Sequence, residues 1–295
     1  MKEFRERVAV ITGGASGIGF ATAERLAAEG TKLVLADIEE RALRSAADGL
    51  TARGAQVLPV VTDVAKPDQV DALARRAFER FGAVHIVFNN AGVEVTGAIF
   101  ENSLSDLHWV VDVNLWGVLY GIRSFVPRML EQKSEGHIVS TASMAGLATA
   151  PYLDIYCITK FGVVAAMECL HKELLAIGSA LRASVVCPGL IKTNLMEAER
   201  NRPDERREPA VVPSAGARAI DAMLRAGLET GYPPSVVADA VVEAIRAERF
   251  WVIPAQSGLK ANIGLRLDEV REERNPASAV GGLPDAPRGV QSTRT

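Results

Sequence analysis

Cysteine is scarce in this chain, and the three that occur, Cys157, Cys169 and Cys187, fall into no CxxC spacing. An odd, unpatterned set excludes a disulfide framework and a zinc-ligand cluster, so these residues are expected to fill space in the core. Histidine is equally sparse. His85, His108, His137 and His171 form neither an HxxxH nor an HExxH arrangement, and no metal site is expected. No run approaches the ~20 apolar residues that a membrane span needs. The opening stretch MKEFRERVAVITGG puts charges ahead of a short apolar strand and lacks a signal core and a small-residue cleavage site. A cytoplasmic location is the expectation. An excess of charge of one sign is missing too: 33 basic residues are interspersed among 36 acidic ones, for a formal net charge of -3. Without a basic stripe to follow a phosphate backbone or an anionic lipid surface, neither nucleic acid nor membrane is an expected partner.

What the chain does have is a regular alternation. Short runs rich in Val and Ile occur at 8–12, 32–36, 56–61, 85–89, 137–142, 182–187 and 250–253, separated by segments with helical periodicity. The runs are continuously apolar rather than alternating, which requires burial on both faces. That pattern predicts an α/β fold: a Rossmann-type, doubly wound, seven-stranded parallel sheet with helices on both faces, in a single domain. Gly30 is placed to terminate the first helix, and Pro67 with Asp68 to open the third. The domain is expected over 1–255, including a substrate lid at about 190–233, with a C-terminal helix and an irregular tail over 256–295. Two stretches break the rhythm. EAERNRPDERREP, 197–209, is dense in charge and reads as a mobile lid, and 275–295 is rich in Pro, Gly and Ser with few large apolar groups.

Chemistry first shows at the end of the first strand, where Thr12-Gly13-Gly14-Ala15-Ser16-Gly17-Ile18-Gly19 leads into a helix. Glycines here permit a tight turn and let a pyrophosphate approach backbone, while the helix N-terminus offers free N–H groups and a positive dipole end. Gly13, Ser16, Gly17, Ile18 and Gly19 are therefore candidate cofactor contacts. Asp37 follows Gly19 by 18 residues at the end of the second strand, where a carboxylate accepts from ribose hydroxyls and repels a 2′-phosphate. Ser16 and Ile38 supply no compensating base, so NAD is expected over NADP.

Further along lie Asn89-Asn90-Ala91-Gly92, Ser143, Tyr156-Cys157-Ile158-Thr159-Lys160 and Pro188-Gly189. This ordered set, spread over roughly residues 5–255, resembles the short-chain dehydrogenase/reductase family. The resemblance implies a nicotinamide cofactor and a catalytic tetrad of Asn114, Ser143, Tyr156 and Lys160, with Asn114 helping to position a water that leads from Lys160 to solvent. It also implies that Asp63 and Val64 contact adenine, and that Asn90, Ala91 and Gly92 line the adenosine side. Pro188, Gly189, Ile191 and Thr193 would hold the nicotinamide carboxamide. The family commonly pairs through the helices that here carry Asn114 and Lys160, so a homodimer or homotetramer is expected. One departure is that Ser140-Thr141-Ala142-Ser143 replaces the more usual Asn-Ile-Ser-Ser, leaving the last serine intact.

Elementary electrostatics gives roles to three of these residues. Tyr156 and Lys160 are one helical turn apart, so an ammonium is expected to lower the phenol's pKa and let it exchange a proton as hydride moves. Ser143 is a neutral hydroxyl suited to hold the substrate oxygen. Around them Val93, Glu94, Met144, Ala145, Tyr152, Leu190, Leu195 and Met196 are the candidate substrate contacts. Their mostly apolar character points to a small hydrophobic or ring-bearing secondary alcohol or ketone, with Glu94 selecting a polar group. The expected activity is hydride transfer between NAD(H) and such a carbon. A 3-oxoacyl-carrier reductase and a catalytically silent NAD-binding regulator are the alternatives. The first lacks a concentrated basic surface for an acidic carrier, and the second would not need all four tetrad residues.

Overall fold

The computed structural model describes residues 1–208 and 213–276. Seven strands, β1 (Val8–Thr12), β2 (Lys32–Asp37), β3 (Val57–Val61), β4 (Ile86–Asn89), β5 (Gly136–Thr141), β6 (Leu181–Val186) and β7 (Trp251–Val252), form one sheet in the order β3-β2-β1-β4-β5-β6-β7. Every pairing is parallel. The helices are α1 (Gly17–Ala28), α2 (Glu40–Ala52), α3 (Pro67–Phe81), α4 (Leu104–Val111), α5 (Gly117–Glu131), α6 (Asp154–Ala176), α7 (Ala215–Glu229), α8 (Pro234–Arg246) and α9 (Ser257–Arg271). None of the described helices is long and apolar enough to cross a membrane.

The continuous apolar runs exist because successive strand residues enter different cores. Val8 and Val10 of β1 join Val34, Val87 and Ile138 in one cluster with α3, α5 and α6. Ala9 and Ile11 join Leu33, Leu35, Ile86 and Phe88 in the other, against α1 and α8. Strand ends fall within about one residue of the sequence expectation, except β7, which spans two residues instead of four. Pro254 follows it and has no N–H to extend the ladder. Gly30 adopts φ +81 just past α1, and Pro67 occupies the first turn of α3.

Two features add detail that the sequence patterns do not carry. The segment around Asn114 is helical as expected, but a π-helical turn, Asp112–Trp116, lies between α4 and α5, with the Gly117 N–H bonded to the Asp112 carbonyl. The charge-dense stretch, read as a lid, forms two 3-10 turns, Leu195–Asn201 and Asp204–Arg206, held by ion pairs. Pro209 and the expected tail from 277 onward lie outside the described residues.

The chain winds outward from β1 in both directions, so the loops after β1 and β4 diverge and leave a crevice at the strands' carboxyl ends. Phe125 of α5, 1% exposed in the first core, tests how firmly that frame is built. Phe125→Ala is expected to lower unfolding free energy by about 3–5 kcal/mol, read from urea denaturation with the slope unchanged.

Candidate active site

The turn after β1 is shaped by its glycines. Gly13 and Gly17 take φ +63 and +54, and a Cβ on Gly19 would meet the Gly13 carbonyl oxygen at 2.1 Å. Gly19 is thus a packing glycine that seats α1 against the turn. Helix α1 starts at Gly17 with no side-chain cap from Ser16 and no acidic residue in its first turn, so its N–H groups and positive dipole end are available to an anion.

Asn90 staples this turn to the middle of the sheet. Its N–H donates to Thr12 Oγ1 at 2.9 Å, its Nδ2 to the Thr12 carbonyl at 3.2 Å, and its Oδ1 accepts from Thr141 Oγ1 at 3.1 Å. The end of β5 is held in turn by Lys160, whose Nζ donates to the Thr141 carbonyl at 3.0 Å. Ser143 then opens a single turn, Met144–Gly146, accepting from the Ala145 N–H at 3.1 Å. Gly146 lets this turn lie on α6, since a Cβ there would sit 2.6 Å from the Lys160 carbonyl oxygen. The Met144 N–H donates to the Pro188 carbonyl at 2.9 Å. The loops after β5 and β6 are thereby tied together.

Asn114 is fully buried in the π-turn. Its Oδ1 accepts from the Val93 N–H and its Nδ2 donates to the Val93 carbonyl, both at 2.8 Å, with a further bond to Thr159 Oγ1 at 3.3 Å. The side chain therefore clamps the loop after β4. The widened turn places an amide beside a backbone segment that it satisfies on both sides, and π-turns recur at functional sites.

These elements line an open cleft at the carboxyl edge of the sheet. Among the expected cofactor contacts, Gly13, Ser16, Gly17, Ile18, Asp37, Asp63, Val64, Asn90, Ala91, Gly92, Pro188, Gly189, Ile191 and Thr193 all line it, as do Ser143, Tyr156 and Lys160. Gly19 lies behind the turn and Asn114 behind Val93. Among the expected substrate contacts, Leu195 and Val93 line the cleft, whereas Glu94, Met144, Ala145, Tyr152, Leu190 and Met196 are not part of its wall. The reason is α7. Tyr152 and Ala145 pack in a small cluster with Ile220 and Leu224, and the side chain of Leu190 lies against Gly227.

Asp37 holds its carboxylate in place with bonds from the Ala15 N–H at 3.0 Å and the Glu39 N–H at 3.1 Å. Burial nevertheless pushes its pKa above the ordinary value. Each oxygen keeps a lone pair for a further donor. The sequence reading found no base at Ser16 or Ile38 to compensate this carboxylate, and the fold brings an arginine to the same cleft, on a different carboxylate. Arg200, far along the chain, lines the same cleft and pairs with Glu39 at 2.8 Å, while Asn201 donates to the same Glu39 oxygen at 3.0 Å. Beyond it the buried Arg202 guanidinium pairs with Asp106 at 2.6 Å and lies 4.2 Å from the Trp109 ring centre. Arg206 pairs with Asp112 at 2.6 Å. A strap of three arginines, two of which line the cleft, is therefore fastened to the loop after β2, α4 and the π-turn. The run of arginines was visible in sequence, but their carboxylate partners lie too far away for any local pattern to name them.

The electrostatics of Tyr156 and Lys160 also differ from expectation. Lys160 Nζ sits 5.4 Å from the centre of the Tyr156 ring, over its face. Burial pushes the phenol's pKa up, Glu94 adds to the rise, and the Ser143 hydroxyl works the other way. Lys160 does not reverse the balance, because it too is desolvated and is itself lowered to about 8 by burial. Glu94 is raised to about 7, first by burial and then by the charge of Asp221.

A model of the family described as short chain dehydrogenase matches residues 7–204. A short-chain dehydrogenase/reductase from Burkholderia phymatum, solved in complex with NAD, is 42% identical and superposes with a TM-score of 0.92 over 95% of this chain and 100% of that one. The CLA biosynthesis dehydrogenase/reductase of Lactiplantibacillus plantarum is 32% identical over 255 residues, 86% of this chain and 89% of that protein. The 1-deoxy-11-beta-hydroxypentalenate dehydrogenase of Streptomyces exfoliatus is 35% identical over 262 residues, 88% and 86% of the two chains. This chain belongs to the short-chain dehydrogenase/reductase family of oxidoreductases, which bind a nicotinamide cofactor.

The charge of Glu94 opposes phenolate formation at Tyr156, and that charge develops as pH rises through about 7. In Glu94→Gln the opposition is gone at every pH. The limb of the pH profile on which activity rises with phenolate, measured as kcat/KM for alcohol oxidation, is expected to move to lower pH than in the wild type.

Proposed function

We propose that the chain transfers a hydride between NAD(H) and the carbon of a small, hydrophobic or ring-bearing secondary alcohol or ketone. The observation that carries this reading is a convergence: Ser143, Tyr156 and Lys160 line the same cleft as the glycine turn and Asp37. A cradle that no Cβ can enter at Gly13 and Gly19, a bare helix N-terminus and a fixed carboxylate at the ribose end suit a dinucleotide. The names of the relatives, dehydrogenase and reductase, agree with the reaction type.

On this reading Gly13, Ser16, Gly17, Ile18 and the α1 N-terminus take the pyrophosphate, Asp37 the ribose, and Asp63 and Val64 the adenine. Gly189, Ile191 and Thr193 hold the carboxamide. When bound, the nicotinamide supplies hydride-accepting carbon and, in its oxidised form, a positive charge. Ser143 Oγ orients the substrate oxygen. Tyr156 removes the alcohol proton in oxidation and returns it in reduction, and its phenol needs a neighbouring positive charge because burial raises its pKa so far. Lys160 fixes the end of β5 and conducts the proton onward. Two copies pair through α4–α5 and α6, where Trp116 and Ile158 are 45% and 50% exposed.

Tyr156→Phe is expected to lower kcat for oxidation of a hydrophobic secondary alcohol by roughly 10²–10⁴-fold while NADH still binds by fluorescence titration; unchanged turnover overturns the role. NAD is expected to exceed NADP in kcat/KM by on the order of a hundredfold, the usual scale for a like-charge juxtaposition. Asp37→Ser should narrow that ratio, and Glu39→Gln should narrow it further by releasing Arg200. A wild-type preference for NADP overturns the assignment.

A further inference from the structure

The sheet order fixes how far the chain travels after β6. Strands β1, β4 and β5 stand between β6 and β2, so a segment that leaves β6 and touches the loop after β2 spans four interstrand spacings, about 19 Å, across the carboxyl edge. The segment that does so is 193–201. It starts over the glycine turn, where a Cβ on Gly17 would meet Thr193 Cγ2 at 3.3 Å. In its middle Ala198 is buried with Val64, Val93, Trp109 and Val113, all of them in the cleft wall. It ends at Glu39, whose Oε1 accepts from Arg200 Nε and Asn201 Nδ2, both at 3.0 Å. Leu195, Ala198 and Arg200 line the same cleft as Gly13, Ser16 and Asp37, so this arch and the glycine turn wall one space.

The feet of the arch are firmly held, and its contact with Glu39 is not. On one side the Lys192 N–H donates to the Tyr232 carbonyl at 2.9 Å, beside a bridge between Ile191 and Tyr232. On the other, the buried Arg202 pairs with Asp106 at 2.6 Å and lies on Trp109, and a buried pair is costly to part. Arg200 and Glu39 are 38% and 34% exposed, and an ion pair in that setting contributes little. A dinucleotide that reaches from Tyr156 to Asp37 along the strand ends has to lie beneath the arch, because the arch runs over those same ends from β6 to β2.

We propose that the arch is a clasp on the cofactor and Glu39 its catch: Arg200 and Asn201 must let go of Glu39 before NAD(H) enters or leaves. The inference rests on the NAD(H) reading above and adds the route of exchange. A clasp acts on passage, so loosening it speeds binding and release together and leaves the dissociation constant nearly unchanged. A residue that merely touches the cofactor changes release far more than association.

The test is stopped-flow NADH fluorescence on the full-length wild type, Glu39→Ala and Arg200→Ala. Mixing with NADH gives the association rate, and displacement by excess NAD gives the dissociation rate. The two substitutions change local charge in opposite senses. For an anionic cofactor, electrostatics alone would slow release in Glu39→Ala and slow association in Arg200→Ala. The clasp requires the opposite at both places: association and dissociation are each expected to quicken by about two- to fivefold in either variant, the scale of one exposed ion pair. The double variant is expected to gain less than the product of the single effects, because both act on one contact. Circular dichroism checks that each variant folds, and each carries its own decisive rate, so if one does not fold the other decides. Unchanged or slower release in Glu39→Ala, or unchanged or slower association in Arg200→Ala, overturns the proposal and leaves the NAD(H) reading standing. If the wild type binds no NADH, that reading falls and the clasp with it.

Discussion

The site depends on one side chain, Asn90, which joins three places that would otherwise diverge. Its bonds to Thr12 and Thr141 fix the glycine turn after β1 and the end of β5 relative to each other. A parallel sheet gives no such connection by itself, because the loops leaving its carboxyl edge run to opposite faces. With Asn90 in place, Lys160 anchors the Thr141 carbonyl and Ser143 follows two residues on. The distance from the glycine turn to the residues that follow β5 is therefore set by hydrogen bonds across the sheet edge rather than by any single loop.

Most of the architecture was legible because it is written in local patterns. Val8, Val10, Ala9 and Ile11 each need a core, and only a sheet covered on both faces gives them two. The glycine turn, Asp37 and the Tyr156–Lys160 spacing are short-range features of the same kind. What stayed illegible depends on distant partners. Asn114 reads as an ordinary helical residue until Val93 is beside it, and the bond pattern that makes the turn π-helical cannot be seen in DVNLW alone. Arg200 looked like one more charge in a mobile stretch, yet Glu39, 161 positions away, fixes it at the cleft.

The electrostatics of Tyr156 show a further limit of spacing arguments. One helical turn to a lysine suggests an acidified phenol, but the same burial that brings the two together strips both of solvent and outweighs their attraction. Adding Glu94 makes the chamber a balance of three desolvated groups in which none takes its ordinary protonation state for granted. Charge entering with a ligand then has unusually large leverage, since little water is present to screen it.

The arginine strap is fastened unevenly. Arg202 is 6% exposed and packed on Trp109, whereas Arg200 and Arg206 on either side are 38% and 32% exposed. Pairs of the latter kind contribute only about 0–1 kcal/mol each, but uncoupling a buried one costs about 3–5 kcal/mol. Arg202 is therefore the fulcrum that holds the strap most firmly. Ionic strength, which weakens solvent-facing attractions far more than shielded ones, thus loosens the two ends of the strap while its fulcrum stays seated on the indole.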